Sequence, residues 1–200
     1  SGTSVTLTED NPVGVISGST SDSDFRYKTV NGIAVDTVDG VAGITAAGLV
    51  ALGSTHATAG IIQNVAAPIV APGGLKLSSV GPVNLSSSTN NIGSLAGFGN
   101  GVTLVNSTDL EVGTVDGVNG LAASPGSINL TAPNITVAAS ASNVLVSGTN
   151  LVLTATQPLT GAITMTGSTG SPSITAVNGV NGVASLWFQS FPKVISWSIL

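Results

Sequence analysis

From Gly117 to Pro192 the sequence contains no Asp, Glu, Lys or Arg. A soluble helix normally solvates its outer face with such residues, so an amphipathic helical fold is hard to write over this stretch. A membrane-spanning helix needs about 20 mostly apolar residues, and Ser, Thr, Asn, Gly and Pro interrupt this one every few positions. The aromatic girdles of a membrane barrel are missing as well. What fits is a strand-and-turn architecture in which uncharged polar residues cover the surface.

The periodicity agrees. Short runs alternate apolar residues with Ser, Thr, Asn or Lys: Leu75-Lys76-Leu77, Val83-Asn84-Leu85, Val102-Thr103-Leu104, Ile128-Asn129-Leu130, Ile135-Thr136-Val137 and Ile163-Thr164-Met165. Period two with β-branched enrichment, bounded by Gly, Pro and Asn, reads as strands. No 3.6-residue apolar stripe accompanies it.

A motif recurs three times. Thr37-Val38-Asp39-Gly40-Val41-Ala42-Gly43, Thr114-Val115-Asp116-Gly117-Val118-Asn119-Gly120 and Ala176-Val177-Asn178-Gly179-Val180-Asn181-Gly182 share Val-[Asp/Asn]-Gly-Val-x-Gly. Asp-Gly and Asn-Gly are turn dipeptides, so Asp39, Gly40, Asp116, Gly117, Asn178 and Gly179 are expected to be repeat turns. The copies lie 77 and 62 residues apart, near multiples of about 20, the length a solenoid turn needs for two or three short strands. Stacking at the strand spacing of about 4.8 Å places like on like. Stacked charges repel, whereas stacked Asn, Ser and Thr form hydrogen-bond ladders. Ser and Thr supply 49 residues, charged residues only 6% and aromatics 4%, which suits a narrow interior of Val, Ile, Leu and Ala.

The expected fold is therefore all-β: a right-handed parallel β-solenoid (β-helix) of roughly ten rungs, with a β-sandwich or jelly roll as the alternative. Residues 1–29 hold Glu9, Asp10, Asp22, Asp24, Arg26, Lys28, Phe25 and Tyr27 and are expected to cap or join. Residues 30–185 form the shaft. Residues 186–200 form an aromatic cap or assembly strand, because open solenoid ends invite pairing. Its candidate residues are Trp187, Phe188, Phe191, Ile195, Trp197 and Ile199, the last run reading as a strand over Lys193–Leu200.

Segments 90–97, 101–106 and 110–121, followed by Gly126-Ser127-Ile128-Asn129-Leu130-Thr131-Ala132, resemble the filamentous-haemagglutinin type of repeat. That repeat occurs in bacterial exoproteins of the two-partner-secretion and autotransporter classes. The resemblance covers about residues 30–55 and 74–185. It implies a secreted or cell-surface β-helix shaft, usually adhesive. The family's secretion domain carries Asn-Pro-Asn motifs, and only Asn11-Pro12 is present here, so the chain is expected to be shaft rather than secretion signal.

Composition narrows function further. Net charge is −5 with four basic residues, Arg26, Lys28, Lys76 and Lys193, and no cluster exists to neutralise nucleic-acid phosphates. There is no Cys and one His, His56, which removes thiolate and most zinc schemes. Asp22-Ser23-Asp24 has the spacing of two calcium oxygens without the rest of a loop motif. For the paired carboxylates of glycan cleavage the only local groups are Asp36 with Asp39, and Asp109 and Glu111 with Asp116, and Asn178-Gly179 in the third copy favours a turn instead. No cofactor or metal is expected. The expected function is a non-enzymatic extracellular structural or adhesive β-solenoid, in one version a subunit that self-assembles end to end into a surface fibre. The alternative is a glycan-binding or glycan-cleaving β-helix module. Expected partners are further copies or a continuation of a longer chain, and host or matrix glycans. Nucleic acid and a membrane span are not expected.

Overall fold

In the computed structural model, residues 3–138 are described throughout, together with strand segments at 144–146, 151–155, 160–161, 163–166, 173–176, 186–189 and 196–199. These residues form an all-β protein with no helix.

Three parallel sheets organise most of these strands. The first contains Val5–Asn11, Phe25–Thr29, Val50–Ser54, Leu75–Ser79 and Ser94–Gly99 in that order. The second contains Val15–Ile16, Ile33–Val35, Ile61–Gln63, Val83–Leu85, Val102–Val105, Ile128–Ala132 and Leu151–Ala155. The third contains Gly18–Thr20, Ile44–Ala46, Ile69–Ala71 and Asn91–Ile92. As far as Val102–Val105 the chain visits first, second and third sheet in turn and then returns to the first, one level on; beyond it Leu110–Val112 and Leu121–Ala123 both pair into the first sheet, and the third ends at Asn91–Ile92. Strands pair across levels in parallel, and among the described residues the two antiparallel pairings are the local hairpins at 37–42 and 114–119. Parallel pairing departs from the sandwich alternative, whose neighbouring strands run antiparallel.

Alternation sets what each strand buries. Phe25–Thr29, Val50–Ser54 and Leu75–Ser79 each show buried residues at the first, third and fifth positions. Their partners are in register, Phe25 with Val50 and Val50 with Leu75, so apolar columns run through the interior. Ile33, Val35, Ile61, Val83, Leu85, Val102, Leu104, Ile44 and Ile69 complete it from the other two sheets, all at most 2% exposed. Two aromatics share this interior, Phe25 and Tyr27, where a narrow aliphatic bore was expected. Gly18 makes the room: a Cβ there would stand 2.9 Å from the Phe25 ring. The Tyr27 hydroxyl donates to the Val13 carbonyl, and burial raises its pKa.

The corners are polar and satisfied. Asn11, Thr29, Ser54 and Ser79 stack in one column. Ser54 Oγ donates to the Asn31 carbonyl (2.9 Å) and Ser79 Oγ to that of Gly81 (3.0 Å). At another corner the buried Asn106 side chain imitates a strand. Its Oδ1 accepts from Ile92 N (3.0 Å), and its Nδ2 donates to the Ile92 and Thr108 carbonyls (3.0 and 2.8 Å). Asn90 does the same for Ile69 N and the Val105 carbonyl.

The recurring motif is a protruding hairpin, and its copies do not mark a period. One leaves between Ile33–Val35 and Ile44–Ala46, the other between Leu110–Val112 and Leu121–Ala123, which are different corners. The offset from Ala34 to its partner Ile62 is 28 residues and from Val102 to Ile128 is 26. Turns without a hairpin span 19 residues from Val83 to Val102, 22 from Ile62 to Asn84 and 25 from Val50 to Leu75. Turn length thus varies with the loops as well as the hairpins, and the hairpin is a six-residue projection from its corner.

Candidate functional site

The outward face of the first sheet concentrates the chain's positive charge. One outward column reads Thr6, Arg26, Ala51, Lys76, Ala96. The next reads Lys28, Gly53, Ser78, Phe98, Ala122. Three of the four basic residues thus share one face, although they lie far apart in sequence. Arg26 and Lys76 stand two levels apart, about 9.6 Å at the strand spacing, with small Ala51 between them.

The second hairpin folds onto this face. Asp116 and Gly117 take left-handed φ values of 51° and 75°, which a two-residue hairpin turn requires. Thr114 pairs with Asn119 and Val115 with Val118. Val115 is 2% exposed and lies over Gly74, where a Cβ would approach it to 3.0 Å. The tip then reaches back along the face to two cations. Arg26 grips Asp116 with both terminal nitrogens (2.7 and 3.0 Å), and Lys76 Nζ donates to Asp116 Oδ2 (2.7 Å). Such a two-pronged, charge-assisted contact fixes direction as well as distance. The Arg26 hydrogen bonds, then that of Lys76, hold the Asp116 carboxyl well below the usual carboxylate range. Asp116 in turn raises the Arg26 pKa. Asp24 braces the guanidinium from the other side at 2.9 Å and also accepts from Leu49 N at 3.1 Å. The carboxylate with calcium-like spacing is therefore a corner brace and an ion-pair partner.

The first hairpin has the same turn, with φ 50° at Asp39 and 78° at Gly40, and equivalent pairs Thr37–Ala42 and Val38–Val41. Its surroundings differ. All six residues are exposed, Val38 at 42% and Val41 at 46%, and no cation faces Asp39 among the described residues.

Beside the docked hairpin lies an open groove of about 300 Å³. Ala51, Gly53 and Ser78 are among the residues lining it, with Lys28 on one side and Val80 and Phe98 on the other. Phe98 is 48% exposed and Val80 51%. Lys28 Nζ meets Asp10 Oδ1 at 2.9 Å in a solvent-exposed pair.

The sequence-derived assembly residues fall in the carboxyl-terminal strands. Trp187 and Phe188 lie in Leu186–Gln189, opposite Thr164 and Met165 in a parallel pairing. Trp197 and Ile199 lie in Ser196–Ile199, opposite Ile174 and Ala176. Phe191, Ile195, Asn178 and Gly179 lie outside the described residues. His56 serves its own loop, with Nδ1 accepting from Ala59 N at 3.0 Å. Sequence reasoning missed the convergence of Arg26, Lys76 and Asp116. The signal was a 25-residue offset, from Arg26 to Ala51 and again to Lys76, which becomes visible only once strands are aligned to one another.

No protein-family model matches the sequence, and no curated protein or solved structure gives a match. No helix among the described residues is long and apolar enough to cross a membrane. The filamentous-haemagglutinin resemblance rests on the residues quoted for it.

Proposed function

We propose that this chain is a non-enzymatic structural and adhesive shaft working outside the cell, built as a right-handed β-solenoid of roughly ten turns. The observation that carries this reading is the stacking: successive strands hydrogen-bond in parallel across levels in three sheets over a filled apolar interior. A protein stacked this way resists bending, because every level is tied to both neighbours. Ten levels would span roughly 50 Å at the strand spacing. In this reading the segments 1–29 and 186–200 join or cap the shaft, and Trp187, Phe188, Phe191, Ile195, Trp197 and Ile199 make end-to-end contacts. A place among secreted or surface-held exoproteins of the filamentous-haemagglutinin type belongs to the same proposal.

Electron microscopy of the purified chain at neutral pH tests the fibre version. Filaments with an axial repeat near one subunit length are expected, and deletion of Lys193–Leu200 should abolish them. Isolated short rods would overturn end-to-end assembly. A second reading, glycan binding, is favoured by the groove, which the exposed Phe98 ring, Ser78 and Lys28 all line. A glycan-binding screen with wild-type and Phe98→Ser chains tests it.

A further inference from the structure

We propose that the exposed hairpin Thr37–Ala42 docks into the Lys28–Phe98 groove of a second copy of this chain. The contact would be lateral, and it does not depend on end-to-end fibre formation.

The molecule carries its own template for such docking. The two hairpins share Thr-Val-Asp-Gly-Val-x-Gly and have the same turn geometry within a few degrees. In the 114–119 copy the first Val is buried on the sheet face and the Asp is held by two cations. In the 37–42 copy the equivalent Val38 and Asp39 are exposed and have neither partner among the described residues. The groove supplies both kinds of partner. Val80, Phe98, Ala51 and Gly53 offer an apolar bed, and Lys28 stands at its edge. Lys28 is matched only by Asp10 in a pair whose side chains are 44% and 60% exposed, which an incoming carboxylate can exchange at little cost.

The groove borders the face where the internal hairpin already sits, so the same strands would accept both hairpins. The hairpin and the groove are different patches of one molecule. Their union is therefore heterologous, and each copy keeps one free hairpin and one free groove after pairing. One six-residue contact is far smaller than a standard interface. It is weak singly and gains strength when aligned shafts repeat it.

The test uses the full chain, which lacks cysteine. Val41→Cys and Val80→Cys variants, mixed and mildly oxidised, should form a disulfide-linked heterodimer faster than either pairs with Thr131→Cys. Thr131 is an exposed site on Ile128–Ala132, four strands along the second sheet from Ile33–Val35 and outside the groove lining. Equal rates for all mixtures would overturn the proposal. Sedimentation up to about 1 mM, which reaches contacts of that Kd, should show concentration-dependent association. Asp39→Asn keeps the turn, since Asn tolerates left-handed φ, and should weaken association roughly tenfold, as should Phe98→Ser. Ala42→Asn, which copies the docked hairpin, should leave it unchanged. A chain that stays monomeric throughout overturns lateral docking, as does a groove that binds glycan through Phe98 with no effect of Asp39→Asn on association. Filament formation in the microscope is a separate readout, so the end-to-end reading and this one can fail independently.

Discussion

A carboxylate gripped by a guanidinium and an ammonium stays ionised far into acid. Asp116 is in that position, and its pKa lies below the unfolded value. Its stabilisation is therefore fully present above the ordinary carboxylate range and is lost as pH falls through the depressed folded value. Between pH 7 and pH 4 the Val115 methyl resonances should not move. They should shift toward exposed positions only well below pH 3.9, the ordinary Asp value. Asp116→Asn should release the hairpin at every pH, at a cost of about 0.5–1 kcal/mol, because the pair is partly exposed. Amide exchange at Asn119 and Gly120 reports that release. Asn106 is a contrasting residue. Although it begins an Asn-Ser-Thr triplet, its amide is buried and committed to Ile92 and Thr108. Asn106→Ala would strand the buried N–H and C=O of Ile92 and should cost about 2–4 kcal/mol by denaturant unfolding.

At the level of elements, strands were legible in the sequence and their neighbours were not. Leu75-Lys76-Leu77 and Val102-Thr103-Leu104 declare a buried and an open face by alternation alone. Alternation serves antiparallel sandwiches as well as stacked parallel sheets; the scarcity of charge favoured parallel stacking, which the sheets show, but which strand meets which came only with the structure. The hairpins show the same division. Asp-Gly fixes the turn locally, whereas docking depends on Gly74, Arg26 and Lys76, which one motif cannot encode. Gly97 marks where the element level becomes strict. The strand Ser94–Gly99 pairs with Leu110–Val112 at its start and with Leu121–Ala123 at its end, and Gly97 sits at the switch with φ 130°. A Cβ there would stand 2.0 Å from the Leu77 carbonyl oxygen. Gly97→Ala should push the neighbouring strands apart and cost at least about 2 kcal/mol, read as a lower melting temperature with loss of amide protection at Leu77 and Ser78.

Across the whole molecule, stability is shared by columns rather than by one centre. Leu75 is fully buried between Val50 and Leu95. Leu75→Ala should cost about 2–5 kcal/mol, and in a stacked architecture the damage should spread to adjacent levels before distant ones. Hydrogen exchange followed by mass spectrometry should find faster exchange in Val50–Ser54 and Ser94–Gly99 than in Ile128–Ala132. Composition foretold such columns through the scarcity of charge. It did not foretell that Phe25 and Tyr27 would join them, because the space for Phe25 is made by Gly18, which sits on another sheet.

The two hairpins have a consequence for how such a chain can change. Each projects six residues from one corner, and the strands before and after still meet their partners in register. Insertions and deletions at these corners are thus absorbed sideways, outside the hydrogen-bonded stack. A lineage could vary what these projections carry, or an engineer could graft an epitope or a peptide ligand at Asp39–Gly40, without renumbering the stacked interior.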